Sequence, residues 1–424
     1  MTNKSMFQHV SYTSVANISH ALAQWVLLII VVKLFDEIIL GQLVLTLSIV
    51  SPVFMLFSIK LRTLVVTDYQ NKRQFEQYLH ARLTIYIPIL LIIGAVHYFA
   101  LNHIILSILT SVTLFKLSDG ISELCYSYLH KHHLFNKASK SQFLRSLISS
   151  LTIAISAYLS QDVKITFFTW SSIAIVFALY DIYQCKSAIK SIENRPFAFT
   201  LLAFNRDNIT QSLILYKNYW VLGLSIALGA MFVYIPNYMI EYFHTTTMVG
   251  EFAAISYFLV AGSILITSLS QAATPKLTAL YNQQKHTLFI KLTGQLVFTG
   301  LAIGLIGYAI ALLIGEPLLA LIYNGTIAQL SFELQLIIVA STIRYCYIFL
   351  GSALNAMNCL KQQTFVYLVG AITLLVSSYF LIPDYSTVGA GVAMIIATFS
   401  ELLIMIALFV RNWKIKPMES SVNA

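Results

Sequence analysis

The chain has 424 residues, 58% of them hydrophobic and only 10% charged, with a formal net charge of +9 and a mean hydropathy of +0.78. That balance excludes a soluble domain of this size, and continuous apolar runs of about 20 residues exclude a membrane β-barrel, whose segments are short and alternating. The basic excess sits between the apolar runs, a pattern of membrane orientation rather than of nucleic-acid binding.

Twelve spans are expected, at about 12–34, 38–59, 82–100, 104–129, 143–160, 165–184, 218–240, 249–271, 289–315, 332–353, 364–382 and 388–410. With the N-terminus on the cytoplasmic side, 22 of the 26 Lys and Arg fall in cytoplasmic segments. Only Lys33 and Lys164 fall outside, while Lys116 and Arg344 lie within spans. This asymmetry places both termini in the cytoplasm. No small-residue cleavage site follows the first run, so no signal peptide is expected. The fold class is therefore all-α and polytopic. The longest connection divides the chain into an N-lobe (1–190), a cytoplasmic linker (191–217) and a C-lobe (218–424). Leu40-Gly41-Gln42 and Val249-Gly250-Glu251 correspond weakly, as do Lys116 in span four and Arg344 in span ten. They point to two pseudo-symmetric six-helix lobes, a common transporter plan.

In the first span Thr13, Asn17, His20 and Gln24 are spaced three or four apart and share one helix face. Two readings fit: the wall of a cavity, or a hydrogen-bonded seam between helices. His20 also suits a proton site, because imidazole titrates near neutrality. In span four Lys116, Asp119 and Glu123 fall within about 60° of one another on a helix. Ionisable groups at bilayer depth are costly, about 2.5–3.5 kcal/mol each on insertion scales, and so face protein or water. The trio is either an ion-coupling or headgroup site, or a self-neutralised structural cluster.

Lys60 and Arg62 end span two, where anchoring at the basic face accounts for them. Pro236 should bend span seven, with Tyr234, Asn237 and Tyr238 around it. Arg344 has no acid within one turn, so its counter-charge must come from another helix or from a ligand. Its planar guanidinium suits a phosphate, and Tyr345 and Tyr347 beside it suit either stacking on a sugar or packing. Asp181 and Glu401 are weaker candidates of the same kind. Gly300, Gly304 and Gly307 form a close-packing stripe. Cys125, Cys185, Cys346 and Cys359 lack pairing or metal spacing, and no Walker A loop, HExxH motif or nucleophile elbow occurs. No cofactor, metal or catalytic residue is expected. The short external connections also argue against a glycosyltransferase or any other enzyme.

Several segments resemble the polysaccharide flippases of the Wzx type. Leu61-Arg62, Thr67-Asp68, Phe75, Tyr78 and Arg82 match the loop after the second span, and Pro275-Lys276-Leu277 matches the cytoplasmic segment after the eighth. Gly315 to Gly325 is similar to the stretch between spans nine and ten, and Gly389, Ala390 and Ala393 match the entry to span twelve. The resemblance implies two six-helix lobes around a central cavity that opens alternately to either side. It implies a flippase, in the bacterial inner membrane, for an undecaprenyl-diphosphate-linked oligosaccharide such as an O-antigen repeat unit. A polysaccharide polymerase, chain-length machinery and proton or sodium coupling are the implied partners. On this expectation Arg344 and Lys116, with Arg62 and Lys60, meet the diphosphate. Asp119, Glu123 and His20 are the coupling candidates, and Asn17, Gln24, Tyr234, Asn237, Tyr345 and Tyr347 line the cavity. The alternative is a cation-coupled multidrug antiporter of the same superfamily, using Asp119 and Glu123.

Overall fold

The computed structural model describes residues 3–68, 72–100, 104–357 and 359–415. Those residues are almost entirely helical and contain no strand. Thr13 and Lys361 lie outside the side chains described. The helices are α1 (Asn3–Leu34), α2 (Glu37–Ser58), α3 (Leu61–Thr67), α4 (Phe75–Ala100), α5 (Leu106–Lys131), α6 (Phe135–Ser160) and α7 (Val163–Ala188). They continue with α8 (Arg206–Phe243), α9 (Thr246–Asn282), α10 (His286–Ile322), α11 (Gly325–Ala328), α12 (Ser331–Ala356) and α13 (Leu360–Ile415). Ten helices among the described residues are long and apolar enough to cross a membrane. The long helix α5 is not one of them, because Lys116, Asp119 and Glu123 interrupt its apolar run. α13 counts once, although Ser386 breaks it at φ 51° and ψ −129°. Adding α5 and dividing α13 at Ser386 gives the twelve expected segments.

The turns follow from local chemistry. Asp36 caps α2 by accepting from the Ile39 amide at 2.7 Å, and Asp162 caps α7 by accepting from Lys164 at 2.7 Å. Thr245 and Asn324 cap α9 and α11 in the same way. Each oxygen satisfies an amide that the helix leaves unpaired at its start. All four caps lie in turns poor in Lys and Arg. Left-handed residues occur in both kinds of turn: Ile59 and Lys60 between α2 and α3, His133 before α6, Gln284 before α10, and Gln161 directly before the Asp162 cap.

The turn inside α13 needs a glycine. A side chain on Gly389 would collide with the Leu381 carbonyl. We therefore expect Gly389→Val to destabilise the chain by about 1–3 kcal/mol, as overpacking against rigid backbone does. A thermal melt in detergent checks this; an unchanged midpoint would remove the constraint.

The chain divides into two compact units, Met1–Ala227 and Leu228–Ala424, with the division inside α8. In the first, α5 is the central helix, packed against α2, α3, α4, α6 and α7. Phe115 of α5 stacks on Trp170 of α7 at 4.2 Å between ring centres. In the second, α12 is central, against α9, α10 and α13. Small residues let these helices approach. Gly262 of α9 receives the Tyr345 hydroxyl, Gly300 of α10 lies against Phe349, and Gly304 lies against Thr342. The glycine stripe of span nine is thus the seam between α10 and α12.

The segment after α7 is tied to the first unit. Arg195 grips Glu76 with two parallel bonds, Nη1 to Oε1 at 2.6 Å and Nη2 to Oε2 at 3.0 Å. The Ala198 amide adds a third bond to Glu76 at 2.9 Å, and Glu193 closes on the Arg195 Nε at 2.6 Å. The hydrogen bond to Glu76 holds the Arg195 guanidinium above its ordinary value.

Asp68, which follows α3, accepts from the amides of Lys72 at 3.0 Å and Arg73 at 3.2 Å and from the Tyr78 hydroxyl at 3.0 Å. Burial alone would raise its carboxyl, but these bonds outweigh it and hold the group below its usual range. A depressed carboxyl contributes stability above the ordinary aspartate value, near pH 4, and that contribution is lost as pH falls through the folded value. We expect Asp68→Ala to lower stability by about 1–2 kcal/mol at pH 7, and by less as the pH falls below about 4, seen in melting midpoints across that range. A pH-independent difference would contradict this role.

Candidate functional site

The charged face of α5 is the centre of the first unit. Asp119 pairs with Arg145 of α6, Oδ1 to Nη1 at 3.0 Å. Glu123 faces Arg82 of α4, Oε2 to Nη2 at 3.7 Å. Both arginine side chains are almost completely buried, at 4% and 3% exposure, whereas the two carboxylates are 32% and 41% exposed. Lys116, half-buried one turn deeper, makes no ion pair with either acid within 4.0 Å. The acids of α5 are therefore matched by arginines from its neighbours rather than by the lysine on its own face.

Local sequence explains these positions. Arg82 lies about 10 Å along α4 from its first residue and Arg145 about 15 Å along α6, at 1.5 Å per residue. Glu123 and Asp119 lie about 12 and 18 Å from the last residue of α5, so the pairs meet at matching depths. Gly120 leaves room for the Tyr86 hydroxyl and for Arg82, whose Nη1 would be 3.6 Å from an added side chain. Tyr86 is itself fixed by donating to the Leu117 carbonyl at 2.7 Å. Arg145 also lies over the Phe115 ring, 5.2 Å from its centre. Even so, Arg82 Nε and Nη2 and Arg145 Nη2 are buried with no hydrogen-bond partner. A guanidinium has five donors, and these are left available to an acceptor.

The deeper end of the face opens on a narrow pocket of about 20 Å³, lined by His20, Gln24, Phe115, Arg145, Ser146 and Trp170 among others. His20 and Gln24, one turn apart on α1, contact each other at 3.1 Å between Nε2 atoms. Asn17, further toward the start of α1, accepts from Gln142 of α6 at 3.3 Å. Three of the four polar residues of the first span are thus described, two at a pocket and one in a seam with α6. Lys60 is exposed at the junction of α2 and α3, and Arg62 is half-buried in α3; neither lines this pocket.

In the second unit Arg344 of α12 faces Glu401 of α13, Nη1 to Oε2 at 4.0 Å. This contact is a pairing of charges without a hydrogen bond, and both atoms are buried with no bonded partner. The guanidinium lies over the Phe232 ring at 4.2 Å and the Tyr347 ring at 5.4 Å, and its Nη2 donates to the Gly229 carbonyl at 3.4 Å. Gly370 has no side chain where the Glu401 carboxylate lies. The counter-charge that α12 lacks therefore comes from another helix. Tyr345 and Tyr347 are both buried, Tyr345 against Gly262 and Tyr347 against Arg344. Asn237 is buried in α8 and Tyr234 is half-buried. No cluster of three or more His, Cys, Asp or Glu suited to a metal occurs among the described residues.

Arg82 and Arg145 stand at the starts of the expected spans 82–100 and 143–160 and count among the cytoplasmic basic residues, and the structure places both well inside helices. α4 and α6 begin at Phe75 and Phe135, seven and eight residues before their apolar runs, and these arginines lie two to three turns in, where the polar start gives way to the run. The signal that finds them is helical spacing across the start of the apolar run: Arg145 with Ser141 and Ser149, and Arg82 with Tyr78 and Tyr86, recur four apart. Glu401, noted as a weaker candidate, becomes a direct neighbour of Arg344.

No protein-family model matches the chain. It is 27% identical over 399 residues to the capsular polysaccharide biosynthesis protein CapF of Staphylococcus aureus, covering 94% of this chain and 98% of that protein. Its fold is that of the lipid II flippase MurJ in an inward closed conformation, at a TM-score of 0.69 and 14% identity, over 96% of this chain and 89% of that one. An inward-facing multidrug resistance MATE transporter of the MOP superfamily is similar at a TM-score of 0.66 and 12% identity, over 96% of each chain. The MATE transporter VcmN of Vibrio cholerae is similar at 0.60 and 14%, over 96% and 97%. Related along nearly its whole length to a capsular polysaccharide biosynthesis protein, the chain is an all-helical, multi-pass membrane protein with the fold of these flippases and transporters.

Proposed function

We propose that the protein flips an oligosaccharide repeat unit carried on undecaprenyl diphosphate from the cytoplasmic to the outer leaflet of the bacterial inner membrane, with both termini cytoplasmic. The observation that carries this reading is the set of buried arginines with unused donors. Arg344 has a buried, unbonded Nη1 beside a carboxylate that does not hydrogen-bond to it. A diphosphate crossing an apolar bilayer needs such partners, since an unpaired charge there is prohibitively costly. Guanidinium forks suit its oxygens, and the loose Glu401 contact leaves Arg344 free to exchange one acceptor for another. CapF, as a capsular polysaccharide biosynthesis protein, supports a surface-polysaccharide cargo. Alternating access of two lobes would carry the headgroup while the prenyl tail stays in lipid.

The antiporter reading is weaker on charge. The α5 face gathers Lys116, Arg82 and Arg145 against Asp119 and Glu123, a net positive set that suits an anion better than a cationic drug. Deleting the gene from its source cells and restoring it tests the proposal. Lost surface polysaccharide, with lipid-linked intermediates held in the cytoplasmic leaflet, is the expected result. Unchanged display with altered sensitivity to cationic drugs would favour the antiporter. A polymerase and chain-length machinery would then act on the delivered repeat unit, and a proton or sodium gradient would drive the return step.

A further inference from the structure

Away from the charged face of α5, the basic ends of α6 and α7 line an open cleft of about 420 Å³. Lys137 and Lys140 of α6 stand at its mouth with Ser141, opposite Tyr180, Tyr183 and Gln184 of α7. Both lysines are exposed, and no described ion pair engages either. No carboxylate lines the cleft; Asp181 lies behind Ser141, which donates to its Oδ1 at 2.6 Å. The Gln184 Oε1 is buried without a hydrogen-bond partner and therefore wants a donor.

Below the mouth both helices present apolar side chains outward. On α6, Leu147, Leu151 and Ile155 continue the face of Lys140 at helical spacing and are 46%, 54% and 57% exposed. On α7, Val176 continues the face of Tyr180 and Tyr183 and is 59% exposed. A cationic mouth over an apolar rail matches an amphipathic anion with its charge at the interface and its chain in the bilayer. The tyrosines suit the same boundary, where rings sit in apolar surroundings and hydroxyls reach water.

We infer that this cleft holds an anionic phospholipid with a hydroxylated headgroup, of the phosphatidylglycerol kind. Its phosphate lies between Lys137 and Lys140, a headgroup hydroxyl donates to Gln184, and an acyl chain follows the α6 rail. The hydroxyl separates this occupant from phosphatidic acid, which has no glycerol headgroup to offer a donor.

Native mass spectrometry of the whole protein, after exchange into micelles doped with defined lipids, tests the site. Wild type is expected to retain phosphatidylglycerol over phosphatidylcholine, and Lys137→Gln with Lys140→Gln to bind it about 30-fold more weakly, equivalent to about 2 kcal/mol. The paired Arg substitutions keep the charge and are expected to retain binding, which separates loss of the site from loss of the fold. Gln184→Leu is expected to abolish the preference for phosphatidylglycerol over phosphatidic acid while leaving both bound. Equal retention of phosphatidylcholine, undiminished binding in the double Gln variant, or displacement by equimolar undecaprenyl phosphate would each overturn the proposal. So would competition by millimolar inorganic phosphate, which would make the cleft a site for a free anion.

Discussion

Arg344→Ala should reduce surface polysaccharide at least tenfold while Arg344→Lys keeps part of it. Loss of a charge-assisted, forked contact to a phosphate removes about 1.5–3 kcal/mol, or roughly 10- to 100-fold in binding. Lysine preserves the charge but not the fork. The alanine variant also strands Glu401, which is 4.0 Å away and 4% exposed. Breaking a buried pair by removing one partner costs about 3–5 kcal/mol, so lower membrane abundance could imitate a transport defect. The double variant Arg344→Ala with Glu401→Gln resolves this, because the stranded charge is gone. It should recover abundance without recovering polysaccharide. Recovery of both would make the pair structural and remove Arg344 from the transport pathway.

The second large effect is expected at Asp119 and Arg145. Arg145→Ala leaves Asp119 facing a vacated guanidinium site beside His20 and Lys116, and Asp119→Ala leaves a buried arginine uncompensated. Asp119→Ala should lower stability by about 3–5 kcal/mol and Arg145→Ala by less, because the arginine stranded by the first is 4% exposed while the acid left by the second is 32% exposed and can be solvated. The exchange Asp119→Arg with Arg145→Asp should recover a large part of the loss, as coupled residues do in a double-mutant cycle. Melting midpoints of purified protein and membrane levels measure this. Additive losses in the exchanged variant would contradict the pairing.

Much of the fold was legible because hydropathy reports a property the bilayer imposes directly. Helix segments had to be apolar for about 20 residues, and every one of the twelve expected spans falls on a helix. What hydropathy cannot see is the polar beginning of a helix that continues below the membrane interface. α4 and α6 start at Phe75 and Phe135, seven and eight residues before the expected spans, so Arg82 and Arg145 read as cytoplasmic residues at span ends although they lie well inside helices. The charged face of α5 could be read from spacing alone, since 116, 119 and 123 recur at helical intervals. Its partners could not be, because they come from helices separated in sequence, and nearest-neighbour reasoning offered Lys116 in their place. Arg344 shows the opposite case. The absence of an acid nearby in α12 required a counter-charge from elsewhere, and Glu401 supplies it across 57 positions of sequence.

The most direct test of the account is flipping by the purified protein in sealed proteoliposomes. Undecaprenyl-diphosphate-linked oligosaccharide would be loaded in both leaflets and its outer-leaflet share removed by an impermeant glycosidase. The account predicts that wild type exposes the protected inner share to the enzyme over time, while the Arg344→Ala, Glu401→Gln variant leaves about half protected, as protein-free vesicles do. Equal protection in wild-type and protein-free vesicles, under an imposed proton or sodium gradient of either sign, would contradict it.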